Sequence, residues 1–217
     1  METQEFVPVK YGQYNTLSSI PSPEIVNSMS RLKAETEVIS KAIEIFYNLK
    51  GVGKSIKGRR KLRCMFYCIY MAYSNLDHPV DPSYAADIVG LAKNHINKAF
   101  VEYSPPGAMV IPPEKLLGFY MSRINSLVKD QGMSYDEKSI TQGAMDVILV
   151  CRSHNKGKEW VLNTASKVVA IVALYFYMND MKGICSQGNI DIFEKACYLS
   201  WACIKRYHEQ LSMHYNH

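Results

Sequence analysis

The sequence predicts an all-α protein made of two tandem copies of one helical unit, and three observations carry that prediction. Apolar residues recur at helical spacing. In "EVISKAIEIFYNL" the residues Val38, Ile39, Ala42, Ile45, Phe46 and Leu49 fall one, three and four apart. Start signals stand where new helices should begin, most clearly in "DPSYAADIVGL", with Asp81 as N-cap and Pro82 in the first helical position. Two segments that are apolar on nearly every face, 60–76 and 163–182, superpose at an offset of 105 residues. That offset sets Ile69 on Leu174, Tyr70 on Tyr175 and Leu76 on Met181.

Residues 1–23 lack periodicity and end in a proline-rich stretch, which predicts an extended leader. A first unit is predicted over 24–104. It opens with a short amphipathic helix at 24–32, followed by a longer one at 36–49. The segment 60–76 is predicted as its buried central helix, and helices from Asp81 and over 92–103 complete it. "SPPGAMVIPP" then breaks the chain with four prolines and a glycine, giving a linker at 105–112. A second unit, 113–217, repeats the order with helices at 114–129, 136–154, 163–182, 190–196 and 200–211. "MSRL" from Met29 and "MSRI" from Met121 each lie in the first helix of their unit.

Composition is that of a globular chain, 47% hydrophobic and 21% charged. The longest apolar runs, 64–73 and 168–178, fall short of the ~20 residues that a membrane helix needs. No secretory leader is expected. The six cysteines (Cys64, Cys68, Cys151, Cys185, Cys197, Cys203) lie in or beside apolar segments without a Cys-x-x-Cys pair, as buried thiols of a reducing compartment would.

Charge is the uneven quantity. "LKGVGKSIKGRRKLR", residues 49–63, holds Lys50, Lys54, Lys57, Arg59, Arg60, Lys61 and Arg63 and no carboxylate. The whole chain is net +5, so the remainder sums to −2. A basic patch on a near-neutral body predicts a polyanionic partner. The Gly-Val-Gly-Lys-Ser within it resembles the end of a phosphate-binding loop. That loop, however, needs a glycine where Asn48 stands and a strand where helical periodicity precedes it. Nucleotide binding is not expected. "HEQLS" at His208 begins like a zinc-protease helix, but Ser212 occupies the second ligand position. Cys64 and Cys68 lie four apart without a second pair, which favours packing over metal binding, and His78 beside Pro79 reads as a loop residue. No local Ser-His-Asp or Cys-His spacing suggests catalysis, so neither enzymatic activity nor a cofactor is expected.

Two stretches resemble a known family. "FYMSRINSLV" looks like the start of the second repeat in transcription initiation factor IIB and its archaeal relative, where an aromatic residue and an arginine open the repeat. "SIKGRRKLRCMFYCIYMAY" resembles the first-repeat motif, a Lys/Arg-Gly-Arg leading into a core helix that ends Tyr-x-Ala. The resemblance spans about 24–211 and implies two cyclin-like repeats of five helices each. It also implies a partner set of promoter DNA, a TATA-binding protein and RNA polymerase. The Gly-Arg pair that contacts DNA in that family is Gly58-Arg59 here. The zinc ribbon that usually precedes the repeats needs cysteine ligands, and none occurs before Cys64 in this sequence. By register on "CIKRY", the position of a base-reading arginine falls near Ile204, which has no hydrogen-bonding side chain; Lys205 and Arg206 remain able to meet phosphates. A divergent member, such as a large DNA virus with its own transcription machinery would encode, fits these departures. It would act in the nucleus or in a viral factory in the cytoplasm.

The expected DNA contacts are therefore Lys54, Lys57, Gly58, Arg59, Arg60, Lys61, Arg63, Lys205 and Arg206. They would bind mainly phosphates and be steeply salt dependent. Cations at a helix start oppose its dipole, so Arg60, Lys61 and Arg63 are expected to cost stability unless an anion neutralises them. A cyclin-like kinase-binding protein and a helical interaction scaffold are the alternatives; neither requires the Lys-Gly-Arg loop.

Overall fold

The structure, a computed structural model, describes residues 23–49, 56–104, 111, 113–130, 136–153 and 190–215. Every regular element among these residues is helical. The leader, Lys50, Lys54, most of the 105–112 linker and the segment 163–182 with Leu174, Tyr175 and Met181 lie outside the described residues.

The first group of helices is built around α3 (Gly58–Asn75), whose residues 63–69, 72 and 73 are buried. That near-continuous burial is what its apolar circumference predicts. Helix α1 (Pro23–Met29) buries Ile25 and Met29, four apart on one face. It ends three residues short of the expected 32, because Leu32 N–H turns back to Met29 O in the following turn. Helix α2 (Thr36–Asn48) lays the stripe Val38, Ala42 and Phe46 on α3. Helix α4 (Pro82–Val89) starts as its sequence predicts: the Asp81 carboxylate accepts Ser83 N–H at 2.6 Å, and Pro82 needs no donor there. It stops at Gly90, whose φ of +71° lets Leu91 N–H reach back to Ala86 O. A 3₁₀ turn (Lys93–His95) leads into α5 (Ile96–Tyr103), which returns Ile96, Ala99 and Tyr103 to α3. The sequence predicts a single helix over 92–103, and the structure divides it into these two elements.

The second group begins with α6 (Pro113–Lys129), which buries Leu116, Leu117, Tyr120, Met121 and Ile124 along one stripe. Helix α7 (Glu137–Ser153) packs on it through Ile140, Ala144, Val147 and Ile148 and is capped by Asp136, which accepts Lys138 and Ser139 N–H. Helices α8 (Ile190–Cys197) and α9 (Trp201–Tyr215) pack on α6 and α7 respectively and on each other. No described helix is long and apolar enough to cross a membrane. Among the described residues Cys64, Cys68 and Cys197 are buried free thiols as expected, whereas Cys203 is only half-buried; His78 is an exposed loop residue, as expected.

Side chains tie the two groups together at α4 and α6. Tyr120 O–H donates to the second oxygen of the Asp81 carboxylate, so one residue both caps α4 and holds α6. Arg123, from the "MSRI" stretch, lies 5.5 Å from the ring centre of Tyr84, 5.7 Å from Phe119 and 4.7 Å from Tyr198. Its Nε and Nη2 also donate to Ala196 O and Lys195 O at the C-terminal end of α8, where a cation complements the helix dipole.

Candidate nucleic-acid interface

The chain reaches α3 in extended form. Ile56 is buried and anchors it, and Lys57 follows with φ −124° and ψ 164°. Gly58 then takes φ +56°, a left-handed conformation that side chains resist, and the helix begins. An added Cβ there would meet nothing within 4 Å, so the demand for glycine is conformational and not steric. This turn projects Lys57, Gly58, Arg59 and Arg60 into solvent.

Past the turn, successive residues step about 100° around the helix axis, and this separates the cations. Arg60 and Arg63, three apart, share the face toward α5. There Glu102 accepts Arg60 Nε on one oxygen and Arg63 Nε on the other, both at 2.8 Å. Tyr103 O–H completes the set at 3.2 Å. Lys61 turns to α1 and pairs with Glu24 at 2.9 Å. Arg63 is buried, with its side chain only 11% exposed. Burial of Glu102 opposes its ionisation, but hydrogen bonds and charge from Arg63, Arg60 and Tyr103 outweigh this and hold its carboxyl below the usual range. Lys61 likewise holds the exposed Glu24 carboxyl below its usual range.

The electrostatic cost expected at the start of α3 is therefore largely met inside the protein. Glu102 and Glu24 supply two negative charges against the three positive charges of Arg60, Lys61 and Arg63, which removes most of the demand for an external anion at these residues. Lys57 and Arg59 differ. Both are exposed, and neither has a carboxylate within ion-pair distance among the described residues. Of the residues singled out in sequence, the structure gathers Lys57, Gly58, Arg59, Arg60, Lys61 and Arg63 at one corner, while Lys54 lies outside the described residues.

Lys205 and Arg206 sit apart in sequence and element, exposed on α9, a helix packed chiefly on α7 and α8. The Arg206 guanidinium lies 5.3 Å from the ring of Tyr207. Ile204 is 2% exposed and faces the core, so its place in the helix is explained by packing.

Sequence reasoning did not find Glu102 and Glu24. They lie 42 and 37 positions from Arg60 and Lys61, beyond any local spacing rule. The usable signal was indirect: Glu102 borders the apolar stripe Ile96, Ala99, Tyr103, which places it at the rim of the α5 contact. Compared with known protein families and with curated proteins, the chain matches none.

Proposed function

We propose that this protein is a transcription initiation factor of the factor-IIB kind, built of two cyclin-like repeats. It bridges promoter DNA held by a TATA-binding protein to RNA polymerase. The observation that carries this reading is the exposed Lys57-Gly58-Arg59 turn, whose two cations have no carboxylate within ion-pair distance among the described residues, at the position where the resemblance puts a DNA contact. The arrangement of helices is compatible with it: a buried central α3 wrapped by α1, α2, α4 and α5, then a second helical group beginning at the "FYMSRI" stretch. Lys205 and Arg206 offer a second exposed basic pair. Contacts of these types meet phosphates, which position a protein on a duplex without reading its sequence. Binding is then weak alone and stronger where a partner presents bent DNA.

The test is a mobility-shift titration on promoter fragments at two salt concentrations, with and without the TATA-binding protein, for wild type and Lys57→Glu/Arg59→Glu. A partner-dependent, salt-sensitive shift that weakens at least about tenfold in the double variant is expected, since each lost phosphate contact forfeits one counterion-release step. No shift under any condition, with the circular dichroism of the folded protein intact, would leave the kinase-binding and scaffold readings in its place.

A further inference from the structure

Five cations crowd the corner at 57–63, and two carboxylates from distant helices divide them unequally. Glu102 takes Arg60 and Arg63, Glu24 takes Lys61, and Lys57 and Arg59 have no carboxylate within ion-pair distance among the described residues. By exposure alone Arg60 would be as good a phosphate ligand as Arg59, because 54% of its side chain is open to solvent. Its chemistry is different. Its Nε is already committed to Glu102 at 2.8 Å, which fixes the plane of the guanidinium and sets a negative charge directly behind it. A phosphate approaching Arg60 must either share it with that carboxylate or displace it. Displacement would strip a partner from Glu102, whose other oxygen is held by the buried Arg63.

Resting on the DNA-binding reading above, we infer that Glu102 is a positioning residue that withholds Arg60 from the DNA backbone. Lys57 and Arg59 are then the cations of this corner that bind phosphate. Within the ion pairs the charges largely cancel: Lys61 with Glu24 sums to zero, and Arg60, Arg63 and Glu102 together to +1. The outward field of the corner is thus smaller than its five cations suggest and is centred on the Gly58 turn. Because Arg63 and Arg60 keep Glu102 ionised well below neutral pH, the withholding is constant near pH 7.

The experiment compares binding of the 217-residue chain to a short DNA duplex across a salt series, for wild type, Arg59→Ala, Arg60→Ala, Glu102→Gln and Glu102→Gln/Arg60→Ala. Arg59→Ala is expected to weaken binding about tenfold near 50 mM salt and to reduce the salt slope by about 0.9, the effect of one phosphate contact. Arg60→Ala is expected to stay within about twofold of wild type. In the Glu102→Gln background the same Arg60→Ala change is expected to cost about tenfold, since no carboxylate charge then competes with phosphate for Arg60; this coupling separates withholding from a mere change in net charge. Equal losses for Arg59→Ala and Arg60→Ala in the parent protein would overturn the inference while leaving DNA binding intact. That comparison needs only exposed positions and decides the matter even where Glu102→Gln does not fold. Absence of DNA binding by wild type, alone and with a TATA-binding protein, would overturn both this inference and the reading on which it rests.

Discussion

Single residues set the geometry of the corner, and Gly58 is the plainest case. Its left-handed φ is required to turn the extended chain into α3, while the space around it is open. Gly58→Ala is therefore expected to cost about 1 kcal/mol through backbone strain alone, read as a lower urea midpoint with an unchanged m-value. A loss near zero would mean that the turn relaxes without glycine. Glu102 carries a different kind of weight. Removing it deprives the buried Arg63 of the carboxylate it pairs with, and Glu102→Ala is expected to cost about 2 kcal/mol. Gly58 was legible in sequence because a local motif marks it. Glu102 was not, because its importance arises only when α5 is folded against α3.

At the scale of elements, local signals were strong wherever the causes are local. The Asp81–Pro82 start and the Gly90 stop of α4 were readable because caps act within a few residues. The stripe of α2 was readable because it follows helical spacing. The short 3₁₀ turn before α5 was not, since Lys93 to His95 carry no pattern that distinguishes three residues per turn from 3.6. Arg123 was noticed as part of a resemblance, yet its evident duty is structural. It ends α8 by donating to two carbonyls and packs among the rings of Tyr84, Phe119 and Tyr198. Arg123→Ala is expected to destabilise the protein by about 2 kcal/mol. Arg123→Lys should recover little of this, because a lysine cannot lie flat on rings while donating to two carbonyls at once. Full recovery by lysine in a urea titration would show that charge alone suffices there.

For the whole molecule, the ionisable groups define a stability window. Glu24, Asp77 and Glu102 have carboxyls held below their usual values by Lys61, Lys115 and, against burial, Arg63. Their contribution is complete above the unfolded values of about 4 and is lost as pH falls through the lower folded ones. At the other end, burial pushes the Cys197 thiol up from 9.0 to about 12. Burial also raises Tyr103 and Tyr198 from 10.0 to about 12. Groups raised in this way contribute fully below their unfolded values and lose that contribution as pH rises through the folded ones. The melting temperature is therefore expected to fall below about pH 4 and again between about pH 9 and pH 12. A melting temperature unchanged at pH 11 would refute the alkaline limb. Asp81 stabilises the first turn of α4 with one oxygen and grips Tyr120 of α6 with the other, so opening either helix deprives the other of a partner. The two helices should then behave as one cooperative unit, their amide hydrogens exchanging with solvent through a common opening. In Tyr120→Phe, which spares the cap but cuts the tether, α6 should exchange faster than α4.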